Sequence, residues 1–220
     1  MPYALVKPSG ISGLSAILDT EIVIGRSEAW QFEYEYAGED SNFLGTDSWD
    51  QRHEHGGGSY RIRGHVRAGT NFTLSQTLTE SVSVYDHVLL ACQANNGGTV
   101  LTINDIVEHD GFKYLGTKEA KFSYLFRYNT NTNTDPQSFR YLKIWRSGVL
   151  TNHWVNTTGT GLVFEDIVGG NDFTLDGSWP AGDDHWVYYD DGAAVTPTLS
   201  LPNVTSITAS SAVPNVTVTF

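Results

Sequence analysis

The segment Trp30-Gln31-Phe32-Glu33-Tyr34-Glu35-Tyr36 constrains this chain more than any other. Large aromatics alternate strictly with polar residues. In an extended strand successive side chains point to opposite faces, so this period of two places Trp30, Phe32, Tyr34 and Tyr36 together on one face. A helix would scatter the same residues around its circumference. The segment therefore predicts a strand with one face in a core and the other, carrying Glu33 and Glu35, in water.

Other segments repeat the signal. In Ser59 to Val66, Tyr60, Ile62 and Gly64 alternate with Arg61, Arg63 and His65. His87 to Ala94 is a short apolar run that reads as a buried strand. Asn95-Asn96-Gly97-Gly98 marks a tight turn after it, and Thr99 to Ile103 supplies the partner of a hairpin. Phe122 to Tyr128 is apolar and aromatic, and the polar run from Asn129 to Pro136 reads as a loop. Ser138 to Arg146 is strand-like, with Ser147-Gly148 as its turn. The best helical candidate, Ile11 to Leu18, is short and punctuated by glycine. Aromatics form 12% of the chain and glycine 22 of its 220 residues, which favours pleated surfaces joined by turns. An all-β chain with very little helix is expected. Trp30, Phe32, Tyr34, Leu142 and Ile144 are its expected core, and Trp145 is placed there with them.

Charge narrows the partners. Twenty-five acidic residues against 13 basic ones leave a net charge of −12. Such a chain repels phosphate backbones, which argues against nucleic-acid binding. No stretch approaches the ~18 apolar residues of a membrane span. The N-terminus shows no basic region leading into an apolar run, so no secretory signal is read there. Past Arg146 there is no further Lys or Arg, while Glu165, Asp166, Asp172, Asp176, Asp183, Asp184, Asp190 and Asp191 follow. These read as a solvated acidic rim. The sharper reading is a calcium site at Asp183, Asp184, Asp190 and Asp191, which flank Trp186-Val187-Tyr188-Tyr189.

The end of the chain changes character. No charged residue occurs from Ala193 onward, and Pro202-Asn203-Val204-Thr205 recurs as Pro214-Asn215-Val216-Thr217. Two Thr/Val strands forming a hairpin or arm are expected over 196–220, after a main domain over 1–195. An isolated hairpin is marginal in water, and an uncharged strand edge invites pairing. Val204, Ile207, Val216, Val218 and Phe220 are the residues expected to meet a protein partner, a second copy of the chain above all.

Four motifs, in order, resemble the laminin-G-like and concanavalin-A-like jelly rolls. They are Ala29 to Tyr36 with Phe43-Leu44-Gly45, then Leu101-Thr102-Ile103-Asn104-Asp105, then Phe139 to Leu150, and finally Gly161 to Leu175. The last is similar to the D-x-x-G-x-N-x-x-x-L segment of those folds, carried here by Asp166, Gly169, Asn171 and Leu175. The resemblance implies two antiparallel sheets packed face to face, with ligands on the concave face or the rim loops. Sandwiches with a tail such as Trp186 to Gly192 also look like those of phage structural proteins. That implies a decoration or adhesin-type component of a virion or an extracellular surface, docked to a capsid or tail.

Chemistry is weighed residue by residue. Glu33 and Glu35 share a face but lie opposite the aromatics, and no E-x-D-x-x-E run suggests a glycosidase. His53 and His55 have a spacing that chelates a metal on a strand, but the glycines after them read as an exposed loop. Cys92 is the sole cysteine and lies in an apolar run, so it reads as a core thiol. The sequons at Asn71, Asn156, Asn203 and Asn215 read as by-products of Asn/Thr-rich loops. Trp49, Trp154, Trp179 and Trp186 lie in loop-like, polar surroundings. Trp154, Trp179 and Trp186, with Tyr188, are the candidate platform on which a sugar ring stacks. The expected function is a non-enzymatic structural or decoration protein with a lectin-like fold. The alternative is a stand-alone carbohydrate-binding module, and a polysaccharide-degrading enzyme ranks below both.

Overall fold

The computed structural model describes residues 2–25, 27–38, 41–45, 51–56, 59–66, 70–77, 86–94, 97–112, 120–128, 131–132, 136–180, 182–190, 206–210 and 215–219. The chain divides into two compact units, Met1–Tyr189 and Asp190–Phe220.

The first unit is an all-β, jelly-roll-like sandwich of two antiparallel sheets. One sheet contains β1 (Tyr3–Lys7), β3 (Trp30–Gly38), β8 (Asp86–Cys92), β9 (Gly98–Ile103), β10 (Ile106–Phe112), β14 (Gln137–Arg146), β15 (Val149–Trp154) and β18 (Trp186–Tyr188). Its order is β10-β9-β8-β3-β14-β1-β18, with β15 also paired to β14. The other contains β2 (Ser15–Ile24), β4 (Ser41–Gly45), β5 (Gln51–Gly56), β6 (Ser59–Val66), β7 (Thr70–Thr77), β11 (Ala120–Leu125), β16 (Val163–Phe164) and β17 (Phe173–Asp176), in the order β16-β17-β2-β11-β4-β5-β6-β7. A small ribbon joins β12 (Arg127–Tyr128) to β13 (Asn131–Thr132). The chain crosses between the sheets as it runs from β1 to β2 to β3, whereas β4 to β7 and β8 to β10 each follow one another within one sheet.

The alternation of β3 is realised as expected. Trp30, Phe32, Tyr34 and Tyr36 are buried, and so are Phe139, Leu142 and Ile144 of the adjacent β14. The opposing sheet adds Phe122 of β11, whose ring centroid lies 4.5 Å from that of Phe32. Phe126 meets Phe139 at 5.7 Å, and Trp154 meets Phe173 at 5.1 Å. Tilted and edge-on rings at these separations add attraction beyond the area they bury. Cys92 is buried in this core, opposite Trp30 in the β3–β8 register.

Three expectations change. Ile11 to Leu18 is not helical, because β2 begins at Ser15. Gly10 and Gly13 adopt φ of 76° and 84°, which a right-handed helix forbids, and Leu14, Ala16 and Leu18 are buried at a period of two instead. His53 and His55 lie in a strand, β5, opposite Ile62 and Tyr60 of β6, and not in a loop. Their side chains, like Trp49, lie outside the described residues. Trp145 is only partly buried, since it follows Ile144 and must face the other way.

The second unit carries a hairpin of β19 (Ser206–Ser210) and β20 (Asn215–Thr219). Ile207 pairs with Val218 and Ala209 with Val216. Val204 and Phe220 lie outside the described residues.

Replacing Phe32 by Ala leaves a void between two sheets that cannot collapse. Chemical denaturation should show a loss of about 3–5 kcal/mol.

Candidate functional site

The outer face of the first sheet owes its composition to a bulge. Phe139 pairs with Tyr36, but the next ladder pair is Tyr141 with Glu35, which leaves Arg140 as the extra residue. A bulge of this kind re-aims the side chains around it. Arg140 and Tyr141 are both partly exposed, while Leu142 returns to the core. Tyr141, Lys143 and Trp145 then alternate with Leu142 and Ile144. They stand beside Glu35, Glu33 and Gln31 of β3 in ladder register.

These side chains form one network. Tyr141 donates its hydroxyl hydrogen bond to Glu33 Oε1 at 3.1 Å, and Lys143 Nζ donates to the same oxygen at 3.1 Å. His87 Nε2 lies 3.6 Å from Glu33 Oε1. Arg140 pairs with Glu35 at 3.0 Å, and its guanidinium lies 4.6 Å from the centroid of the Tyr189 ring. Lys143 Nζ lies 4.7 Å from the Tyr141 ring and 5.8 Å from that of Trp145. His153, the ladder partner of Lys143, meets the Tyr141 ring edge-on at 6.4 Å.

The environment fixes the protonation states. Burial pushes the Glu33 carboxyl up, but the hydrogen bonds and charge of Lys143, the Tyr141 hydroxyl and nearby His87 outweigh it, so its pKa falls below the ordinary value. Burial first, and then the charges of Glu33 and Glu35, push the Tyr141 phenol well above its usual range. Burial, reinforced by the Lys143 charge, lowers the pKa of His153. At neutral pH the face thus presents an ionised acceptor, a protonated phenol donor and a neutral imidazole. The Tyr141 hydroxyl and the Lys143 ammonium both direct a hydrogen to Glu33 Oε1.

Beside the network lies a groove of about 510 Å³, within the size range of small-molecule sites. Its lining includes Trp145, Gln31, Ala91 and Val100. These four form one cross-strand row over β14, β3, β8 and β9, since Trp145 pairs with Gln31, Gln31 with Ala91, and Ala91 with Val100. The small Ala91 leaves the floor low, and Gly98 and Gly148 keep the strand ends open.

The tryptophans expected to form a sugar platform are used differently. Trp154 is fully buried, and its indole N–H donates to the Asn171 carbonyl at 2.7 Å. Trp186 is buried, and its indole N–H donates to the Gly161 carbonyl at 2.7 Å. Trp179 is partly buried against the core, and its indole N–H reaches the carbonyls of Asp176 at 2.9 Å and Ser15 at 3.2 Å. All three rings staple loops to the sandwich. Trp154 and Trp186 therefore have no open face for a sugar, which corrects the expectation. Tyr188 is 49% exposed and meets Tyr3 edge-on at 5.8 Å.

The acidic residues are equally local. Asp183 accepts the Gly161 N–H at 2.7 Å, and Asp184 and Asp190 are exposed. Asp191 lies outside the described residues. Among the described residues no three His, Cys, Asp or Glu side chains gather to hold a metal ion. His185 is buried between Trp179 and Trp186, and its Nε2 lies 2.9 Å from the Gly161 carbonyl, an acceptor only. That nitrogen must therefore carry the hydrogen.

The Asp166 motif is structural. Its buried carboxylate accepts from the backbone N–H groups of His153 (2.8 Å), Gly169 (3.0 Å), Val168 (3.2 Å) and Asn171 (3.2 Å), and from the Asn152 amide at 2.7 Å. A Cβ on Gly169 would stand 2.5 Å from Asn152 Nδ2 and 2.6 Å from the Thr151 carbonyl oxygen, so only glycine fits. The loop thereby orients β15, which carries His153. Asn156, a sequon residue, is also consumed: its buried Oδ1 accepts from Gly159 N at 2.6 Å and Thr158 N at 3.0 Å.

No family model matches the chain, and no curated protein matches it. Solved structures resemble it at low identity. The binding domain of Paraclostridial Mosquitocidal Protein 1 aligns with 11% identity and a TM-score of 0.43 over 64% of this chain and 43% of that one. The heptameric SAP-like pentraxin of Limulus polyphemus aligns with 9% identity and a TM-score of 0.45 over 66% and 76%. The receptor binding domain of botulinum neurotoxin C/D mosaic serotype aligns with 11% identity and a TM-score of 0.40 over 64% and 43%. This chain thus spans under half the length of either toxin domain.

Burial raises the Asp166 pKa, but the hydrogen bonds from Gly169, His153, Asn152 and Asn171 outweigh it, and the net shift is downward. A carboxyl with a lowered folded pKa stabilises the fold above its unfolded pKa, and the contribution is lost as pH falls through the folded value. Asp166→Asn should cost roughly 2–3 kcal/mol at pH 7 in chemical denaturation, with the deficit shrinking toward pH 3.

Proposed function

We propose that this chain is a non-enzymatic attachment module. Its lectin-like sandwich recognises a glycan on the outer face of the first sheet, and its C-terminal hairpin docks it to a larger assembly at a virion or extracellular surface. The observation that carries the reading is the groove at Trp145, flanked by Tyr141, Lys143 and Glu33 in a closed hydrogen-bond network. Aromatic faces attract the polarised C–H groups of a sugar ring, and fixed donors and acceptors read its hydroxyls. Locking the charged groups to one another before binding limits the ordering that binding must supply.

The docking half rests on the hairpin. β19 and β20 form a sheet of two strands, which is marginal alone, and the chain around them is uncharged from Ala193 onward. Protein partners, including further copies of this chain, would complete that sheet. The virion setting rests on the sequence resemblance alone. A second reading, a stand-alone carbohydrate-binding module, is favoured by one fact: the groove lies wholly within the unit Met1–Tyr189.

Trp145→Ala should weaken, by at least about ten-fold, binding to any glycan class that the intact protein captures on a mixed glycan panel. Trp179→Ala should leave a folded fraction that still binds. Removing 196–220 should convert a discrete oligomer to monomers by light scattering while glycan capture persists. A monomeric intact chain would favour the stand-alone module, and unimpaired capture by Trp145→Ala would remove the groove from the site.

A further inference from the structure

Among the described residues, the groove's lining carries no charged side chain. That is unusual on a molecule with a net charge of −12, and it bears on what the groove accepts. Its ten lining residues are Ala, Trp, Gln, Cys, Gly and Val. The neighbouring charges are matched already. Lys143 is held by Glu33 at 3.1 Å, and Arg146 is held by Glu28 through two contacts of 2.9 and 3.2 Å. Further along the strands, Asp105 is 96% exposed on its side chain, and Asp110, the ladder partner of Val100, is exposed.

An anionic ligand would meet these carboxylates and the overall negative potential without an uncommitted cation in the groove lining to offset them. A cationic ligand would be drawn by the same exposed Asp105 and Asp110, but no carboxylate among the described lining residues reaches it, so on the groove floor its charge would lose water without gaining a partner. An uncharged, hydroxyl-bearing ligand incurs neither penalty. Its C–H faces can lie on Trp145 and over Ala91 and Val100, while its hydroxyls reach the Gln31 amide, which both donates and accepts.

The shape adds a length. The row Trp145–Gln31–Ala91–Val100 crosses three interstrand steps of about 4.8 Å, roughly 14 Å in all. That exceeds a single sugar ring and suits a short chain of rings lying across the strands.

Resting on the glycan-binding reading above, we infer that the ligand is a neutral oligosaccharide, laid across β14, β3, β8 and β9 with one ring stacked on Trp145. Sialylated, uronic and sulfated chains are disfavoured.

The test uses the full chain and isothermal titration calorimetry against two sets of probes. One set holds neutral gluco-, manno- and galacto-oligosaccharides of two to six rings. The other holds alginate, polysialic acid and heparin oligosaccharides. Saturable binding should occur within the neutral set, tighten from two rings to three or four, and then level off. Trp145→Ala should weaken it by at least about ten-fold. Ala91→Leu, which fills the groove floor without opening a core void, should weaken it by a similar factor. Circular dichroism of both variants should match the parent. Binding confined to the anionic set would overturn the neutral ligand while leaving the glycan reading in place. Binding to neither set would overturn both, and neutral binding insensitive to Ala91→Leu would move the ligand elsewhere.

Discussion

The packing of β3 against β14 under the second sheet is the interaction on which the rest of this structure depends. Along β3 the aromatics Trp30, Phe32, Tyr34 and Tyr36 enter the core, and along β14 Phe139, Leu142 and Ile144 join them. A strand has only two faces, so burying one set dictates the other. Gln31, Glu33 and Glu35, with Tyr141, Lys143 and Trp145, are forced outward by the same register. A slip of one residue would exchange the two sets and is excluded by the cost of burying Glu33 and Glu35. Core and outer face are thus one decision made once.

The loops are held by a different device. Trp154, Trp179 and Trp186 each sink a ring toward the core and direct the indole N–H to a backbone carbonyl. The Asp166 carboxylate gathers the turn between β16 and β17, and Asp183 ties the 161 region to the start of β18. These polar contacts give the loops fixed positions, while Ser15 Oγ and His185 Nδ1 stay buried beside them with no hydrogen-bond partner among the described residues. The groove needs that rigidity at one remove, because β15 flanks β14 and carries His153 beside Lys143.

Much of the fold is legible in the sequence. The period-two segments return as β3 and β6, and the expected hairpin returns as the paired strands β8 and β9, with Asn95 and Asn96 of its turn outside the described residues. The Asp166–Gly169–Asn171 motif returns as a hydrogen-bonded turn. The site is less legible. Alternation with Leu142 and Ile144 already required Trp145 to face outward, and that signal was available. The rim tryptophans mislead because part of what holds them is remote: Ser15, which accepts from Trp179 beside the nearby Asp176, lies far from it in sequence, and Gly161 far from Trp186. Local polarity suggested exposure, whereas long-range partners decide burial. The bulge at Arg140, which brings Tyr141 to Glu33, leaves no mark in composition at all.

The most direct measurement follows the six tryptophan indole N–H signals by nuclear magnetic resonance while a captured glycan is titrated into the intact protein. Three of those groups, in Trp154, Trp179 and Trp186, are committed to backbone carbonyls, while the Trp145 ring lines the groove. The account predicts that the Trp145 signal moves saturably and that those three hold still. Movement of the Trp179 and Trp186 signals with Trp145 unchanged would contradict it and return the binding site to the rim.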